Sequence, residues 1–384
     1  MCGRNGKLDD YISIWVYISY KDYDGMFCGG AVMTKKSVEL KESKELEKLV
    51  ECYKKKVKNV ETIDKFLGEY NPWKGKNFDD LLDDFLEALK KDDKEFSWLK
   101  IDNGLYEELK DKTIKEVSID YGIPSHVRGD IKNGTLFLCL VNPNIDVKVA
   151  MCEACQMKNK DNIKKYIFDS RSEGGILYKE LDENGIEKPG YYTDKYLNGL
   201  LKIINDSENV ENNENSIYYK EISKKIVNLE AFPFRSSSPN FARKTTKDYE
   251  TRFANCLVKS TSKVSMLSAR IIIWKILEYI NNPKDKVKPV FIFRRFNQAW
   301  KPSITNVLKE DFKVGEDRIE TIFNELHNKY FYTLRHLDND NFSEITKNDI
   351  YKNNKKISTN EAKYDEFKTL IIDALSLQKD NNEN

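Results

Sequence analysis

The sequence predicts an α/β fold, a central parallel sheet flanked by helices, with a mainly helical extension at its N-terminal side. Three observations lead there. Apolar runs at residues 136–141, 226–229, 289–293 and 330–334 are rich in β-branched or aromatic side chains and alternate with helical patterns, the order that a parallel sheet needs. The first run, Leu136 to Val141, lies between Asn133-Gly134 and Asn142-Pro143 and reads as a strand buried on both faces. Each of the four ends in a polar loop, and open α/β sheets bind ligands beyond the carboxyl ends of their strands.

The totals narrow the class. In 384 residues, 40% hydrophobic and 12% aromatic content rule out wholesale disorder, and the 33% charged fraction points to solvated helical surface. No apolar stretch approaches the length of a membrane span, and the first eight residues lack the apolar core of a signal peptide. Seven cysteines at irregular spacing suggest free thiols in a reducing compartment, so the cytoplasm is the expected location. Charge is unevenly spread. Residues 235–309 hold 16 Lys and Arg against 4 Asp and Glu, which leaves the remainder at −11 within a net +1. Such a segment is either the footprint of a polyanion or a solvated face balanced by acids elsewhere in the fold.

Taken in order, residues 11–19 read as a strand, with turns at Asp24-Gly25 and Gly29-Gly30. Helices follow over 37–58, 61–70 and 77–91, the last with Asn77 as its cap and Leu81, Leu82, Phe85, Leu86 and Leu89 on one face. Residues 1–120 form the extension, and nothing in 1–115 suggests chemistry, so this part offers a surface for a protein partner. The α/β core is expected over 121–350 and a helix with a tail over 351–384. Within the core, 121–134 is turn-rich and 147–165 helical, with Cys152 and Cys155 as small buried thiols. A single CxxC lacks the second pair a metal site needs, so no metal is expected. Residues 182–190 read as a loop, 191–204 as a short helix and 205–216 as a mobile low-complexity stretch. Residues 262–281 make a mostly buried helix and 316–327 another.

Leu140-Val-Asn-Pro-Asn144 resembles the motif that the uracil-DNA glycosylase superfamily places after its first core strand, in one branch Gly-Ile-Asn-Pro-Gly. Both glycines are absent here. The superfamily's late His-Pro-Ser or Asn-Pro-Ser motif has a loose echo at His336 or Asn339–Ser343, without the proline. A closer likeness is to uncharacterised bacterial proteins that are distant relatives of those glycosylases. It rests on Asn142-Pro143, Glu230-Ala-Phe-Pro-Phe-Arg-Ser236, Arg295-Phe-Asn-Gln-Ala-Trp300 and a shortened Thr346-Lys-Asn348. The resemblance covers roughly residues 121–350. It implies a glycosylase-like fold with Asn142 as the water-orienting residue.

Cleaving an N-glycosidic bond requires a held water, donors for the departing base and an aromatic on which the base stacks. Candidate catalytic residues are Asn142, Asp146, Glu230 and His336. Against these roles stand a turn-forming Asn, a helix-capping Asp, a Glu paired with Arg235 or Arg294, and a structural His. Candidate nucleic-acid contacts are Phe234, Arg235, Ser236, Arg294, Arg295 and Trp300, with packing in the core as the other reading of the aromatics. No Walker loop, GxGxxG, GxSxG or HExxH occurs, and no cofactor is expected. The chain therefore reads as a protein acting on nucleic acid, DNA ahead of RNA, or on a nucleotide. Two alternatives stay open: a catalytically silent nucleic-acid-binding module, as in bacterial anti-phage defence, and a small-nucleotide hydrolase or transferase.

Overall fold

The computed structural model of the protein describes residues 35–57, 62–91, 96–110, 122–143, 159–169, 179–181, 187–189, 196–208, 222–236, 249–334 and 345–375. Among these residues eight strands form one sheet: β1 (Val127–Arg128), β2 (Leu136–Leu140), β3 (Phe168–Asp169), β6 (Ile226–Glu230), β7 (Val290–Phe293), β8 (Phe331–Leu334), β9 (Ile350–Lys352) and β10 (Lys355–Lys356). Their spatial order is β10-β9-β8-β7-β2-β6-β1-β3. A separate antiparallel hairpin pairs β4 (Lys179–Leu181) with β5 (Glu187–Pro189), where the sequence suggested only a loop.

The four strands expected from the apolar runs are β2, β6, β7 and β8, and they lie side by side and parallel. The sheet as a whole is mixed, because β1 runs antiparallel to β6, β9 to β8 and β10 to β9. These added strands are two or three residues long, too short to show a period of two in the sequence.

Alternation along β2 divides the interior. Phe137 and Cys139 join a large core on one side of the sheet, while Leu136, Leu138 and Leu140 join a smaller core on the other. The large core takes in the buried stripes of α1 (Lys35–Val57), α2 (Ile63–Tyr70), α3 (Lys76–Lys91) and α4 (Asn103–Leu109). It also takes in α5 (Lys160–Ile167), α7 (Tyr249–Lys259), α8 (Lys263–Asn281), α9 (Lys301–Phe312) and α10 (Glu316–Lys329). The small core lies under α6 (Asn198–Glu208) and α11 (Glu361–Leu375). Backbone contacts divide the chain into Met1–Lys41 and Glu42–Asn384. Within the second unit, the N-terminal helices from Leu46 to Leu109 share one core with the sheet.

Local chemistry explains several helix starts. Thr62, Asn159 and Ser262 cap α2, α5 and α8 by accepting from backbone N–H groups three residues on. At α3 the expectation is corrected: Asn77 lies inside the first turn, and the Gly75 carbonyl accepts from Phe78 and Asp79 N–H instead. Helix α6 continues to Glu208, into the stretch expected to be mobile. The strand expected at 11–19, the turns after it, and Cys152 and Cys155 lie outside the described residues.

The chain leaving β2 goes to β3 and later β6 on one flank, and the chain leaving β7 goes to β8 on the other. Strands β2 and β7 are neighbours, so a crevice is expected at their carboxyl ends, where the order reverses.

Candidate active site at the carboxyl edge

Three residues share one row across the edge. Leu140 of β2 pairs with Glu230 of β6. On the other flank the Arg294 N–H donates to the Cys139 carbonyl at 2.9 Å, one step beyond the Cys139–Phe293 pair. Glu230 and Arg294 thus flank Leu140, with Cα atoms about 10 Å apart at ordinary strand spacing. Side-chain direction follows from the cores. Leu140 belongs to the small core and Phe293 to the large one, so alternation puts Leu140, Glu230 and Arg294 on the small-core side. There Arg294 Nη1 donates to the hydroxyl of Tyr196, itself in the small core, at 2.8 Å. One row back, Arg128 pairs with Asn228 on the same side.

Glu230 is 2% exposed. Its Oε1 accepts from Asn228 Nδ2 at 3.2 Å, and its Oε2 has no hydrogen-bond partner among the described residues. Burial pushes its carboxyl up to about 7, against the pull of the Asn228 amide and the Arg294, Arg235 and Arg128 guanidiniums. Burial, with Glu230 alongside, raises the Cys139 thiol well above its ordinary range. A carboxyl divided between its acid and base forms near neutrality can deliver or accept a proton.

Beyond the strands, the loops after β2 and β6 stay joined. Ala231 N–H donates to Leu140 O, Phe232 N–H to Val141 O and Ser236 N–H to Pro143 O. Asn142 joins this seam, its Nδ2 donating to the carbonyls of Pro143 and Phe234, each at 3.2 Å. Its amide is fixed and half-buried, with Oδ1 as the acceptor end. Ser236 is buried, and its Oγ has no partner among the described residues.

Several expected contacts have packing or hydrogen-bonding partners within the fold. Phe234 and Trp300 lie in the large core at 1% and 0% exposure, so neither offers a ring face to a base. Trp300 packs edge-on against Phe293. Arg235 is buried and donates from Nε to the Ile123 carbonyl at 2.8 Å and from Nη2 to the Tyr166 hydroxyl, fastening the segment before β1 to the loop after β6. Arg295 is half-buried in a left-handed conformation, φ 51 and ψ 46, and its carbonyl receives the Gln298 and Ala299 N–H groups. Thr346 and Asn348 shape the turn into β9, the Thr346 hydroxyl donating to Asp349 and accepting from Asn348 N–H. The neighbouring Ile345 N–H is tied to the Tyr196 carbonyl. Asp146, His336 and Asn339–Ser343 lie outside the described residues.

Among the described residues, five cations of the basic segment are paired locally. Arg270 pairs with Asp311, Lys275 and Lys286 with Glu278, Lys301 with Glu320 and Lys309 with Glu316. The balanced-face reading holds for these cations. Sequence reasoning missed Arg128, Asn228 and Tyr196, which hold no motif and become neighbours of the site only through strand register and the approach of α6. Among the described residues no His, Cys, Asp or Glu cluster could hold a metal ion, and no helix is long and apolar enough to cross a membrane. Compared with protein-family models, curated proteins and solved structures, the chain matches none of them.

Proposed function

We propose that the protein hydrolyses an N-glycosidic bond in a nucleotide or nucleic acid, at the carboxyl edge of the sheet where β6, β2 and β7 end. The observation that carries this reading is Glu230: a fully buried carboxyl, one oxygen without a partner, at the end of a parallel strand and half-ionised near neutrality. In this reading Glu230 is the general acid that protonates the departing base. Asn142 presents Oδ1 to the attacking water, which an oxocarbenium-like transition state needs held more than deprotonated. Arg294 supplies positive charge beside the reacting centre.

The burial of Phe234 and Trp300 favours a nucleotide-sized substrate over a long duplex. The test is incubation with nucleosides, nucleotides and oligonucleotides carrying normal and modified bases, with free base read by mass spectrometry. Base release that Glu230→Gln and Asn142→Ala each cut at least a hundredfold supports the reading. No release from any substrate, or undiminished release by Glu230→Gln, overturns it. Salt-sensitive DNA binding without turnover is the result expected of a silent binding module.

A further inference from the structure

The same charges that the hydrolytic reading uses also bear on how a substrate is held at this edge. Arg294 is half-buried, its hydrogen bonds are to the Cys139 carbonyl and, from Nη1, the Tyr196 hydroxyl, and no carboxylate lies within ion-pair distance of it among the described residues. Across Leu140, on the same side of the sheet, stands Glu230 with its unpartnered Oε2. Among the described residues, the charged and titratable groups around that carboxyl are Arg128 from β1, the Cys139 thiol from β2, Arg235 from the loop after β6 and Arg294 from the end of β7. Apart from Glu230 itself, every charged member of this set is a guanidinium.

We propose that this edge of the sheet holds its ligand by an anionic oxygen group, a phosphate or a carboxylate, lodged over Leu140 between the Arg294 guanidinium and the Glu230 carboxyl, and that Glu230 takes up one proton as the anion enters. The inference rests on the reading of this edge as the substrate site and names the group by which the substrate is held. A half-buried guanidinium without a carboxylate partner among the described residues favours an anion, and its planar donor edge suits a pair of oxygens. An ionised Glu230 would face the incoming anion as a like charge in a low-dielectric setting. Protonation removes that repulsion and turns Oε2 into a donor toward the anion. The proton comes from bulk buffer, one for each anion bound to the ionised form. A substrate phosphate would thereby load Glu230 with the proton that the departing base later receives.

The probe is inorganic sulfate, which does not titrate near neutrality, with acetate in a parallel arm to separate a phosphate-type from a carboxylate-type site. Calorimetry on the full chain, in two buffers of different ionisation heat, reads affinity and proton uptake together. Tighter binding of sulfate assigns the phosphate class, and tighter binding of acetate the carboxylate class. For the anion that binds, Kd should rise about tenfold per pH unit above pH 7 and level off below it. Uptake should approach one proton above that point and none well below it. Arg294→Gln should abolish binding while its thermal melt stays cooperative. Glu230→Gln should bind the anion with a Kd that no longer depends on pH and with no proton uptake. Absence of binding by both anions, undiminished binding by Arg294→Gln, or uptake that persists in Glu230→Gln overturns the proposal. Base release from phosphate-free nucleosides without anion binding would sink this inference and leave the hydrolytic reading standing. Anion binding without base release from any substrate would do the reverse.

Discussion

Glu230→Gln preserves the shape of the side chain and removes its titration, which makes the cost of burying this carboxyl measurable. In the folded chain the group ionises near 7, against 4.5 when exposed. The folded state therefore holds the proton more tightly than the unfolded state, so stability conferred by the protonated form is lost as pH rises. The loss starts near pH 4.5, proceeds at about 1.4 kcal/mol per pH unit and is complete just above pH 7. It amounts to about 3 kcal/mol, a large share of the stability of an ordinary domain. The amide undergoes no such change. Urea denaturation of both proteins, followed by circular dichroism from about pH 4 to about pH 9, should show the variant gaining on the parent by about 3 kcal/mol across that window. A pH-independent offset added to that gain would report a changed hydrogen bond with Asn228. A difference that stays flat with pH, or one that shrinks as pH rises, would refute the assignment of a buried, proton-holding carboxyl.

Further expectations follow from the same geometry. If Glu230 acts as the acid, the initial rate of base release should fall above about pH 7, the pH to which burial raises its carboxyl; a rate that climbs through pH 8 would point to a base instead. Arg270 and Asp311 form a bidentate pair with side chains 10% and 14% exposed, so Asp311→Asn should cost about 3 kcal/mol by chemical denaturation, because it strands a buried cation. Gly129 has φ +114, and a Cβ there would come within 2.7 Å of the Ile226 carbonyl. Gly129→Ala should therefore cost about 2 kcal/mol through strain and crowding, read as a lower urea midpoint. Alkylation of the native protein, mapped by peptide mass spectrometry, should label the exposed Cys52 and spare the buried Cys139 and Cys256. Labelling of Cys139 ahead of Cys52 would contradict the packing of β2.

The parallel centre of the sheet was legible because each of its strands is buried on both faces and so forms a run of apolar residues. Leu136 to Val141 could not be exposed on either side without cost, and Phe291 stacks directly on Phe137 from the neighbouring strand. Strands β1, β3 and β10, of two residues each, leave no periodic trace. Helices α7 and α9 also escaped, since Arg252, Lys259, Lys301 and Lys309 drew the reading toward a basic surface while Phe253, Leu257, Ile304 and Leu308 supplied a buried face. Glu230 and Asn142 were legible as polar residues at strand ends. The roles of Phe234, Arg235 and Trp300 were not, because side-chain chemistry alone does not tell an aromatic or guanidinium that meets a ligand from one that fastens two loops. Arg128 and Tyr196 enter through long-range register, which local sequence does not encode.

Among the described residues, the sheet ends on one side in Phe168–Asp169 and on the other in Lys355–Lys356, strands of two residues each. A rim this brief gives a wandering extended peptide almost no backbone to template upon, and the ammonium groups of β10 deter a second copy from docking there. Among the described residues, these two margins thus offer little for a foreign strand to extend.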